Sequence, residues 1–195
     1  MSRNHGFTRH RRSKTCVATF SAFEADLLRS LAGQLIELLR NEEATPHTTD
    51  ELEALLDFSG PTTEPDDPVL ARLFPTAYPE DQEAAADFRR FTEASLRNGK
   101  ADAAALVIDT LEEAGLPDAP EDGLYVDVEL DRESAQVWLR AFTDMRLAIG
   151  TRLEVEEGDE EFWHELPDDD PRGPVHDIYN WLAFLQETLV ESLMG

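Results

Sequence analysis

The chain has 195 residues, 41% of them hydrophobic, enough for one large domain or two small ones around a sizeable core. Forty-two acids against 17 bases give a net charge of -25, and that field repels phosphate backbones and anionic membrane surfaces alike. A single cysteine, Cys16, excludes an intramolecular disulfide and suits a reducing compartment; with no secretory pattern and no apolar run of membrane-spanning length, the expected location is the cytoplasm.

The charge is unevenly spread. Residues 1–14 carry Arg3, Arg9, Arg11, Arg12 and Lys14 and no acid, whereas the rest of the chain is acidic. The expectation is a basic, disordered arm over 1–14, the one segment able to touch nucleic acid, followed by a helical domain over 15–195 that divides, if at all, into 15–120 and 121–195.

Thr15 to Phe20 alternates with period two and contains β-branched residues, which predicts a short strand. Ser21 and Glu24 form a capping box, and Leu27, Leu28, Leu31, Leu35, Leu38 and Leu39 continue at helical spacing to about Arg40. Thr48 and Glu51 repeat the capping pattern ahead of Leu52, Leu55 and Leu56. Asp67-Pro68 caps a short helix with Val69, Leu70, Leu73 and Phe74. Residues 80–97 read as a helix with Ala84, Ala85, Phe88, Phe91 and Leu96 on its apolar face. Asn98-Gly99 then marks a break, or a kink within one helix that continues to about Ala114.

Leu124 to Leu130 alternates again, and Asp131 caps a long helix through Trp138, Phe142, Met145 and Ile149. The two strand-then-helix units predict that their strands pair, because an isolated strand leaves its backbone groups unpaired. An acidic loop over 154–173 leads to a last helix with the stripe Val175, Ile178, Leu182, Leu185, Leu189 and Leu193. The fold expected is mainly α: a compact bundle of about six helices with a small two-stranded β ribbon.

No nucleophile elbow and no phosphate-cradling glycine loop occurs, and 42 acids make carboxylate pairs uninformative. No enzyme and no cofactor is expected. Cys16 points inward by its alternation, as a structural thiol; a redox role would need it exposed beside the cationic arm. The loop with His164, Glu165, Asp168, Asp169, Asp170, His176 and Asp177 matches no metal-ligand spacing and reads as solvated. Trp138 and Trp181 lie on apolar stripes, whereas Trp163 is the tryptophan placed for an outside contact or for pinning the loop. Arg146 and Arg152 sit beside an apolar stripe, as structural ion pairs or as a fork for an acidic partner or ligand.

Several segments together carry a resemblance: Phe20-Ser21 through Leu39, Asp66-Asp67-Pro68-Val69-Leu70 with Arg72-Leu73-Phe74-Pro75, Phe88-Arg89-Arg90-Phe91-Thr92, Trp138-Leu139-Arg140 through Gly150-Thr151-Arg152-Leu153, and Tyr179-Asn180-Trp181-Leu182. They resemble an actinobacterial family of unknown function encoded beside a ClpS-type adaptor and cysteine-biosynthesis genes, which includes oxidation-sensing transcriptional regulators (AosR-like). The resemblance implies a non-enzymatic, redox-linked regulator acting with a sigma factor or the transcription machinery. The charge implies a protein partner with a basic surface, and DNA reached only indirectly or through the arm. An adaptor in proteolysis or cysteine metabolism is the alternative the gene setting implies. Helical stripes of this width also allow a homodimer.

Overall fold

The computed structural model describes residues 6–41 and 61–195. In chain order these are β1 (Thr8–Arg9), β2 (Cys16–Ser21), α1 (Ala22–Asn41), α2 (Pro68–Leu73), α3 (Gln82–Glu113), β3 (Tyr125–Leu130), α4 (Arg132–Leu153), α5 (Glu160–His164) and α6 (Arg172–Met194). The architecture is mainly α with one small antiparallel sheet. The second capping pattern, at Thr48, and Arg3 of the arm lie outside the described residues.

The strand pairing expected from the sequence is present: β2 runs antiparallel to β3, with Cys16 opposite Leu130 and Phe20 opposite Val126. Alternation sets the faces. Cys16, Ala18, Phe20, Val126, Val128 and Leu130 are buried, while Tyr125, Asp127 and Glu129 face water. Ser21 and Glu24 close the capping box: the Ser21 backbone N–H donates to Glu24 Oε2 at 2.8 Å, and the Glu24 N–H donates to Ser21 Oγ at 3.3 Å. The sheet joins residues 16–21 to 125–130, and one hydrophobic cluster runs from Phe7 to Leu189, so the segments 15–120 and 121–195 share a core.

The ribbon has a third strand, which corrects the expectation of a disordered arm over residues 6–14. Thr8 and Arg9 pair with Val17 and Cys16. The anchor is Phe7, 4% exposed, whose ring packs against Phe20, Trp138 and Phe142 with centroids 5.9, 5.8 and 6.3 Å away. Its N–H donates to Thr188 Oγ1 at 3.0 Å. The approach requires Gly6, since a Cβ there would fall 2.3 Å from the same oxygen. One buried aromatic ring, two strand pairs and one backbone hydrogen bond hold a segment that composition alone assigns to solvent.

Helix α3 is continuous for 32 residues through Asn98-Gly99. A glycine inside a helix costs about 1 kcal/mol, and anchoring on both sides offsets it: Arg97 is buried, and Lys100 pairs with buried Asp144 of α4 at 2.7 Å. The N-terminal half of α3 is turned opposite to the expected orientation. Phe88, Phe91 and Leu96 are exposed, whereas Arg89, Glu93 and Arg97 are buried. These three, at i, i+4 and i+8, form one network: Glu93 accepts from Arg89 Nη1 at 2.6 Å and from Arg97 Nε and Nη2 at 2.9 and 2.7 Å. The guanidiniums also donate to the carbonyls of Phe74 and Leu39 at 3.1 and 3.0 Å. Charge satisfied by charge and by backbone oxygen takes the inner face, and the apolar stripe is left outside.

Helix α2 begins at Asp67, whose Oδ1 accepts from the N–H groups of Val69 and Leu70 at 2.7 and 3.3 Å. α1 packs along α3, α4 along α6, and α2 on α4. Among the described residues no helix is long and apolar enough to cross a membrane.

Candidate functional site

Arg146 and Arg152 occupy different situations although they lie on one helix. Arg152 donates from Nη2 to Asp67 Oδ2 at 2.6 Å and so ties α4 to the cap of α2. Burial raises the Asp67 carboxyl pKa, but the hydrogen bonds from Arg152, Val69 and Leu70 outweigh it and hold it below the ordinary range. Arg152 is therefore a structural ion pair.

Arg146 has no carboxylate partner among the described residues. Its Nη1 donates to Gln186 Oε1 at 2.8 Å, its guanidinium lies over the Tyr179 ring at 4.9 Å, and its Nε is buried without a partner. Gln186 in turn donates from Nε2 to Thr143 Oγ1 at 2.7 Å, which fixes the amide so that its oxygen faces the arginine. Gly150 lets α6 come close: a Cβ there would sit 3.2 Å from the Tyr179 ring. The two helices and α2 border an open cleft of about 670 Å³. Arg72, Arg146, Thr151 and Tyr179 line it, and Glu154, Glu156 and Glu157 stand along it. Glu154 closes α4 in the left-handed conformation, φ 57°.

Trp163 is 8% exposed, which corrects its assignment as a contact residue. It belongs to the short helix α5 and stacks flat on His176 of α6, centroids 4.3 Å apart. The expected loop over 154–173 is thus partly helical and pinned to the body. Asp170 accepts two hydrogen bonds from the Arg172 side chain, then one from the Arg172 backbone N–H, and these lower its carboxyl to about 2. No group of three or more His, Cys, Asp or Glu able to hold a metal occurs among the described residues.

Cys16 is 1% exposed on the core face of β2. Just before it the chain turns through a basic hairpin held by backbone hydrogen bonds. The His10 N–H donates to the Thr15 carbonyl at 2.8 Å and the Lys14 N–H to the His10 carbonyl at 3.0 Å, with Lys14 at φ 62°. Ser13 and Thr15 hydroxyls donate to Glu129 Oε1 at 3.1 and 2.6 Å, with the Thr15 bond the larger cause of that carboxyl's lowered pKa. Arg11, Arg12 and Lys14 are exposed, and Arg9, Lys14 and Arg132 border a hollow of about 260 Å³. Arg9, Arg11, Arg12 and Lys14 are brought together; Arg146 and Arg152 are separated in role; Trp163 joins neither surface. Arg72 was not legible as a site residue, because only the placement of α2 brings it to the Arg146 cleft.

A small sheet capped by long helices, with arginines on its surface and a buried lone thiol, defines a mainly helical domain. The chain belongs to the family described as Domain of unknown function (DUF2017), which it matches over residues 4–193. It is 36% identical over 186 residues to the putative oxidative stress regulator AosR of Mycobacterium leprae, covering 88% of this chain and 79% of the relative. It is 33% identical over 192 residues to the oxidative stress regulator AosR of Mycobacterium tuberculosis, covering 91% and 82%. No solved structure matches the chain.

Proposed function

We propose that this chain is a non-catalytic regulatory protein of the oxidative-stress response that works through contacts with a sigma factor or the transcription machinery. One observation carries the reading: relatives named oxidative stress regulators align with it over most of both chains at 33–36% identity. The net charge of -25 favours a partner with a basic surface, since complementary charge gives partner choice and fast association. Cys16 is the chain's single cysteine and is buried, so the regulation proposed does not run through an intramolecular disulfide.

The test is surface binding of purified RNA polymerase, with and without its sigma factors, to the immobilised protein at rising salt. Binding whose association rate falls with ionic strength supports the reading. No binding, or binding indifferent to salt, refutes it.

A second reading, direct DNA contact through the hairpin, has one observation in its favour: Arg9, Arg11, Arg12 and Lys14 are held on an ordered turn beside Arg132 instead of on a loose tail. Deleting residues 1–14 would also remove Phe7 from the core, so the clean variant is Arg11→Glu with Arg12→Glu. DNA retention unchanged by that double variant, with its salt slope unaltered, removes this reading.

A further inference from the structure

Arg146 is a preorganised cation with no ion-pair partner among the described residues, in a chain of net charge -25. Other buried or half-buried cations of the body find carboxylates: Arg89 and Arg97 meet Glu93, and Lys100 meets Asp144. Arg146 is held instead by three neutral side chains, Gln186, Tyr179 and Thr143 acting through Gln186. Its Nη2 makes no hydrogen bond among the described residues, so one arm of the fork is left without a protein acceptor there. Arg72 stands on the α2 side of the same cleft, also without a partner among the described residues, and the Asp67–Arg152 bond holds α2 in that position.

The cleft carries both signs. Glu154, Glu156 and Glu157 line it opposite in charge to the arginines, and the C-terminus of the 22-residue helix α4 adds negative partial charge at Glu154. Polyphosphates would meet those carboxylates and are disfavoured. A simple inorganic anion would engage the arginines and leave the three carboxylates along the cleft unmatched. We infer that the cleft between α2, α4 and α6 binds a small zwitterion of the α-amino carboxylate type, a free amino acid or a peptide of two or three residues. Its carboxylate lies on Arg146 and Arg72, which present the planar donors that carboxylates match. Its ammonium group faces Glu154, Glu156 and Glu157. In a regulatory protein such a site is the place of an effector. The inference goes beyond the proposed partner contacts and stands apart from them, because it is read on the purified protein alone.

The probes are the standard amino acids, dialanine and triglycine, each titrated calorimetrically into the full chain, with inorganic phosphate alongside. Saturable binding of at least one α-amino carboxylate at about 10 μM to 1 mM is expected. Blocking the ammonium by acetylation or the carboxylate as a methyl ester should each weaken that probe about tenfold. Arg146→Gln should lower affinity about tenfold or more and the exposed Arg72→Gln several-fold, whereas Arg140→Gln, on another face, should leave it unchanged. A ligand-free melting temperature of Arg146→Gln within roughly 2 °C of the parent establishes that it folds, and Arg72→Gln provides the same reading should it not. No saturable binding of any probe up to about 10 mM, affinity indifferent to both arginine variants, or phosphate binding as tightly as the best amino acid overturns the inference.

Discussion

Replacing Glu93 with alanine removes the carboxylate lying between two buried guanidiniums. Three charge-assisted hydrogen bonds of 2.6, 2.7 and 2.9 Å are lost at once. Taken singly at about 1.5–3 kcal/mol they would sum to roughly 5–9 kcal/mol, but they share one acceptor and are not additive. Breaking one side of a buried ion pair costs about 3–5 kcal/mol, and that is the expected loss here. Against a typical total of about 5–15 kcal/mol it is a large fraction. In urea, with a slope of about 2 kcal/mol per molar, the midpoint should fall by roughly 1.5–2.5 M. Glu93→Gln keeps the volume and an acceptor but not the charge, and should still lose more than about 1 kcal/mol. Chemical denaturation followed by circular dichroism measures both. If Glu93→Ala loses less than about 1 kcal/mol, or Glu93→Gln matches the parent, the reasoning that this inner face is held by charge is wrong.

Phe7→Ala should cost about 3–5 kcal/mol and release the hairpin, seen as fast hydrogen exchange at the Thr8 and Arg9 amides; a loss under about 1 kcal/mol would mean that the segment is not docked. Asp67 has a folded-state pKa below its ordinary 3.8, so its contribution is complete above that value and is lost as pH falls through the lowered one. Arg152→Gln, whose parent side chain is half exposed, should cost less than about 1 kcal/mol near neutral pH, and the gap should close in acid. A gap constant from pH about 6 to about 2 contradicts the assignment. Cys16 should resist alkylation in the native protein and react on unfolding; rapid native labelling would place the thiol at the surface and reopen a redox role.

Much of the fold follows from local rules visible in the chain. Ser21-x-x-Glu24, Asp67-Pro68 and Asp131 cap the helices that follow them, and the two alternating segments pair with their apolar faces inward. These succeed because capping and alternation are settled within a few residues. The burial of Cys16 follows from the same alternation. The candidate site was legible only in part. Arg146 and Arg152 stood out as cations beside an apolar stripe, but which was paired depended on Asp67, 85 positions away in the chain.

What the amino-acid order determined by itself is the longer helices, the paired strands β2 and β3, the charge and the single thiol, since each depends on near neighbours or on composition alone; β1 and α5 were not read from it. Only the tertiary structure decided that Phe7 anchors the basic segment, that α3 buries Arg89 and Glu93 while showing Phe88 and Phe91 to solvent, and that Arg72 and Arg146 line one cleft. Each of those outcomes rests on groups distant in sequence that become neighbours on folding: an aromatic pocket, backbone carbonyls free to accept, an acid near or out of reach. Local pattern carries no record of such neighbours.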